Sequence, residues 1–146
     1  MKQFIKIILN KLLIFMLFFF VSCENDTQND CVPRVSINRV LNLSLPLYSP
    51  LQNPGSWVYV DGEGAGTRGL IVINRGGGRY AAYDRNAPHM CPTTNSTLVV
   101  VDDIKIYCPN DEAEWNLYTG EPIKIANRPP TTYLATMNGN NLIITR

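Results

Sequence analysis

The stretch Leu70-Ile71-Val72-Ile73-Asn74-Arg75-Gly76-Gly77-Gly78-Arg79-Tyr80-Ala81-Ala82-Tyr83 sets two short apolar runs on either side of a glycine cluster. Four consecutive branched aliphatic residues are too few for a helix and the right length for a buried strand. Working outward, the same unit recurs. Trp57-Val58-Tyr59-Val60 precedes it; Leu98 to Val101, Ile104 to Tyr107, Trp115 to Tyr118 and Leu142 to Thr145 follow it. In Val101-Asp102-Asp103-Ile104 two turn-forming residues separate β-branched runs, as in a hairpin. Past residue 22, no stretch keeps a helical apolar period for more than about ten residues. Ten glycines and ten prolines agree with a chain of many turns. The expectation is an all-β domain, an antiparallel sandwich or barrel.

Within that pattern Trp57, Tyr59, Tyr83, Trp115 and Tyr118 are expected to fill the core or its rim. Gly64-Ala65-Gly66-Thr67-Arg68-Gly69 matches a dinucleotide-binding pattern, but that motif works only where a strand feeds a helix. Here a strand-like run follows, so the glycines read as a hairpin loop with positive φ. The 146 residues carry a formal net charge of +1, which supplies no broad field for nucleic acid. Arg68, Arg75, Arg79 and Arg85 are interleaved with glycine and tyrosine, yet acidic neighbours argue against a nucleic-acid surface.

The N-terminus has a different character. Lys2, Lys6 and Lys11 precede the apolar run Leu12 to Val21, which is too short to span a bilayer of about 30 Å and fits a signal-peptide core. Phe20-Val21-Ser22-Cys23 then resembles the bacterial lipobox, whose cysteine is acylated and becomes the mature N-terminus. The expected organisation is a lipoprotein signal peptide over 1–22, a polar tether over 23–34 and one all-β domain over 35–146. Cys23 is the expected lipid attachment site, and membrane lipid the expected partner. The chain is then exported to the bacterial cell envelope and held at a membrane, with the outer membrane or a periplasmic face expected. In that setting Asn95-Ser96-Thr97 has little weight as a glycosylation sequon.

Two loops carry what chemistry there is: Ala87-Pro88-His89-Met90-Cys91-Pro92 and Cys108-Pro109-Asn110-Asp111. Tyr118-Thr119-Gly120-Glu121-Pro122 and Ala126-Asn127-Arg128-Pro129-Pro130 follow them. Tyr133-Leu134-Ala135-Thr136 and Asn141-Leu142-Ile143-Ile144 close the chain. From about Trp57 onward this arrangement resembles a Rieske [2Fe–2S] domain, in which one loop carries C-x-H and the other C-x-x-H. The resemblance implies two ligand-type loops at one tip of the fold, and electron transfer as the family's activity. Two thiolates would hold one iron and two imidazoles the other. Position by position, His89 and Cys108 match, while Ala87 replaces the first cysteine and Asp111 the second histidine. A methyl group ligates nothing, and a carboxylate is an unusual, hard ligand for such a cluster.

Three readings of this altered site follow. In the first the domain is a cluster-free, non-catalytic module whose loops are braced by a Cys91–Cys108 disulfide, as the resemblance and an oxidising compartment suggest. Cys31 is then left over. In the second, His89, Cys91, Cys108 and Asp111 bind metal, as zinc or a non-standard iron–sulfur site. In the third, His89, the only histidine, does acid–base chemistry with Asp111. No activated nucleophile accompanies it, so the expectation is a protein that is not an enzyme.

Overall fold

The computed structural model describes residues 31–146. The signal-peptide and lipobox readings, with Cys23 and most of the tether, lie outside the described residues. The elements run β1 (Asn38–Asn42), a short 3-10 turn (Ser49–Gln52), β2 (Trp57–Val60), β3 (Leu70–Asn74), β4 (Tyr80–Asp84), β5 (Val99–Val101), β6 (Lys105–Tyr107), β7 (Glu114–Asn116), β8 (Pro122–Lys124), β9 (Thr132–Asn138) and β10 (Asn141–Thr145). The fold is all-β, as the pattern of runs implies.

Two antiparallel sheets result. A curled six-stranded sheet has the order β1-β10-β9-β4-β3-β2, and a four-stranded sheet the order β5-β6-β7-β8. β3 explains why its sequence is continuously apolar: every residue from Leu70 to Asn74 is buried. Side chains alternate across a strand, so Leu70 and Val72 enter one core and Ile71 and Ile73 another. The first core lies inside the curl of the large sheet, with Leu41, Leu51, Leu142 and Ile144. The second joins β3 and β4 to the small sheet through Tyr83, Leu98, Ile106 and Trp115. Burying each such aliphatic or aromatic side chain is worth about 1.5–3 kcal/mol relative to exposure.

Polar contacts fasten the sheets to each other. The Trp57 indole N–H donates to Asp103 Oδ1 at 2.9 Å, and the Val100 amide donates to the Tyr59 hydroxyl at 2.8 Å. Tyr83 and Trp115 are buried, Trp57 and Tyr59 half-buried, and Tyr118 exposed at the rim.

The turn readings hold in detail. Asp102 and Asp103 both take positive φ, at 54° and 57°, between β5 and β6. Gly64, Gly66 and Gly69, at φ 74°, 82° and 81°, lie in the loop joining the antiparallel pair β2 and β3, so no helix follows them. The run Trp115 to Tyr118 is shorter than expected as a strand. β7 ends at Asn116, because the Asn116 side-chain oxygen accepts the amides of Tyr118 and Thr119 and turns the chain.

Candidate functional site

Both loops spring from the second core. The β4–β5 connection carries Ala87 to Pro92, and the β6–β7 connection carries Cys108 to Asp111. A Glu112 with φ 63° allows the latter to close tightly. The Cys108 amide donates to the Ala113 carbonyl and the Glu112 amide to the Cys108 carbonyl, each at 2.9 Å.

The two loops meet through side chains. His89 Nε2 lies 2.6 Å from Asp111 Oδ2, with the side chains 14% and 24% exposed. The His89 ring lies 5.5 Å, centroid to centroid, from the buried Trp115 ring. Its Nδ1 is buried and has no hydrogen-bond partner among the described residues. The tautomer that fits therefore keeps the proton on Nε2 for the carboxylate, because a buried N–H without an acceptor is costly. The other Asp111 oxygen, Oδ1, accepts the Ala113 amide at 3.2 Å. Burial works against the Asp111 carboxylate. Hydrogen bonds from His89, Cys108 and the Ala113 amide outweigh it and hold its pKa below the ordinary value.

Cys108 is fully buried and is a free thiol. Burial pushes its pKa up. The Asn110 and Asp111 amides, which are directed at the sulfur, oppose that rise, and the Asp111 carboxylate adds to it. Cys108 is thus a protonated donor to Asp111 rather than a reactive thiolate. Ala87 is buried beside the same core.

Cys91 does not join this cluster. It is bonded to Cys31, with a Cα–Cα distance of 5.4 Å. That corrects the expected Cys91–Cys108 brace. The Cys108 sulfur points into the second core, whereas Cys91 lies on the exposed outer side of its loop, where the N-terminal segment passes. Cys31 is correspondingly not left over. The four-donor set His89, Cys91, Cys108 and Asp111 is reduced to three, because the Cys91 sulfur is no longer a thiolate.

A [2Fe–2S] cluster of the implied kind needs two thiolates and two imidazoles. These positions offer one thiol, one imidazole, a methyl group and a carboxylate already paired with the imidazole. The residues do not fit that cluster. Among the described residues, no group of three or more His, Cys, Asp or Glu side chains is arranged to hold a metal ion.

Beside the loops lies a second polar cluster that the sequence reading missed. Asp84, at the end of β4, is buried and accepts the Tyr133 hydroxyl at 2.6 Å, the Asn86 amide at 2.7 Å and the Asn86 side chain at 2.8 Å. Burial and this carboxylate push the Tyr133 hydroxyl pKa far upward. The cluster ties the start of the first loop to β9. It borders a cavity of about 310 Å³, lined by Arg34, Pro88, Arg128 and Arg146 among others. One signal for Cys31 was available: once a lipidated cysteine is set aside, three remain, so pairing must leave one over. Parity does not say which. No protein-family model matches this chain, and no curated protein matches it.

Proposed function

We propose that this chain is a lipid-anchored cell-envelope protein with a Rieske-type domain whose ligand set is incomplete, acting as a cluster-free, non-catalytic module. The observation that carries the reading is the pairing of His89 with Asp111 across the two loops at 2.6 Å. At the ligand positions His89 and Cys108 both bond to Asp111. Asp111 takes hydrogen bonds from the imidazole, the Cys108 thiol and a backbone amide. The loop pair is then a rigid surface for a partner rather than a cradle for iron. A buried thiol with a raised pKa and a lone imidazole–carboxylate pair supply no nucleophile, which supports a role in binding over catalysis.

The test is metal analysis and a visible spectrum of the acyl-free domain purified without oxygen. A colourless protein with iron, zinc and sulfide each far below one per chain is expected. About two irons per chain, with sulfide and charge-transfer bands, would overturn the reading.

A further inference from the structure

The cavity of about 310 Å³ lies between Pro88 of the first loop, the segment after Cys31 and the chain leading into β9. Its lining holds three arginines from distant parts of the chain, Arg34, Arg128 and Arg146. Each is set in place by its own neighbourhood. Cys31 is bonded to Cys91 and Val35 packs on the first core, so Arg34 is held from both sides. The Arg128 carbonyl accepts the Trp115 indole N–H at 2.7 Å, and the Arg146 amide donates to the Ile37 carbonyl at 3.3 Å. The charge of Arg146 reaches the Tyr133 hydroxyl, where it works against the rise in that group's pKa.

Among the described lining residues Asp84 is the one acidic side chain. Its two oxygens already accept the Tyr133 hydroxyl and the backbone and side-chain N–H groups of Asn86. It is therefore a poor lead ligand for a cation. Three cationic side chains face it, and they still outnumber the anions when a main-chain carboxylate on Arg146 is counted as well. Arg34 and Arg128 have other partners too. A guanidinium carries five N–H donors, so one partner leaves donors for another acceptor. The walls are stiff: Pro33, Pro88, Pro129 and Pro130 line the same space. Proline has a fixed φ, so little of the wall need be ordered when a ligand enters.

We propose that this cavity binds a small organic dianion, a phosphate monoester or a dicarboxylate, with its charged head among Arg34, Arg128 and Arg146 and its body against the prolines and Tyr133. An oxyanion there relieves the mutual repulsion of the three cations. Planar guanidinium forks suit it, because they bond carboxylate and phosphate oxygens in pairs. The size sets the rest of the ligand. The cavity has the volume of roughly ten waters at about 30 Å³ each, more than a bare inorganic anion fills. A ligand of about ten non-hydrogen atoms matches it.

Calorimetric titration of the full chain in a non-ionic detergent tests this, with glycerol phosphate and succinate as the probes. Neutral glycerol, and sodium chloride at matched ionic strength, are the controls. At least one dianion should bind saturably, about one per chain, with a Kd of about 1 mM or tighter, and neither control should. Binding of only one of the two assigns the head group as phosphate or as carboxylate. Arg34→Gln and Arg146→Gln should each weaken binding about tenfold. Arg79→Gln, which removes an exposed cation at the other end of β4 from Asp84, should leave it unchanged. In amide NMR spectra of the parent chain the dianion should shift Thr131 and Tyr133 and spare Gly139, which locates the site even if a variant does not fold. No saturable binding, heats that sodium chloride reproduces, or shifts centred away from the cavity would overturn the inference. So would full affinity in a folded Arg146→Gln variant.

Discussion

At His89 and Asp111 two side chains from separate loops share one proton-bearing contact, and the carboxylate is the partner with the most to lose. Its folded pKa lies below the ordinary 3.8, so around that pH the folded chain binds fewer protons than the unfolded one. The stability it contributes is complete above the unfolded value and is lost as pH falls through the folded value. Asp111→Asn should cost about 1–2 kcal/mol at neutral pH, with the gap to the parent closing as pH falls below the ordinary carboxylate value of 3.8 and through the lowered folded one. Urea titrations of both proteins across pH 2–7 measure this, and a gap independent of pH would contradict it. The candidate residues His89, Cys108 and Asp111 were singled out in the chain by the resemblance of their loops to Rieske ligand loops. What each touches was not legible there. Neither the imidazole's approach to Trp115 nor the inward turn of the Cys108 sulfur follows from neighbours in sequence.

Among the elements, the loop between β2 and β3 shows how glycine sets a strand's position. A Cβ on Gly64, at φ 74°, would sit 2.3 Å from the Asn38 carbonyl oxygen, and the Asn38 amide donates to the Gly64 carbonyl at 3.1 Å. Backbone on both sides leaves no room to yield. Gly77, at φ 60°, has nothing within 4 Å of the same position. Gly64→Ala should therefore destabilise the domain by about 2–4 kcal/mol and Gly77→Ala by only about 1 kcal/mol. Thermal or urea unfolding of the pair checks the ranking, and equal losses would contradict the close approach at β1. The central strands were legible from their apolar runs. β1 and β8 were not. β1 buries Leu41 while Val40 is 54% exposed, and β8 is an exposed edge strand beginning with a proline. Neither shows the alternation or the run that marks a strand buried on at least one face.

Over the whole molecule the disulfide is the longest-range covalent constraint among the described residues, spanning 60 positions. Closing a loop of that size restricts the unfolded chain, so reduction should lower stability by about 2–4 kcal/mol. Urea unfolding with and without a phosphine reductant measures the loss, and peptide mapping should recover Cys31 linked to Cys91. A linked Cys91–Cys108 peptide, or no change on reduction, would refute the assignment. On the cluster-free reading a chelator should leave the unfolding transition where it is, since hydrogen bonds then hold the loop pair; a shift would favour the metal reading.

By itself the sequence determined the all-β class, the central strands and the glycine hairpin loop, which rest on periodicity and turn chemistry acting over a few residues; the two loops with His89, Cys108 and Asp111 were singled out by a resemblance to the Rieske ligand loops. Only the tertiary structure decided that Cys91 pairs with Cys31 and that Cys108 is buried and unpaired. It alone brought Asp84, Asn86 and Tyr133 together. Each of these depends on which way a side chain faces once two sheets have packed, and contacts 22 to 60 residues apart in the chain leave no mark on the residues between them.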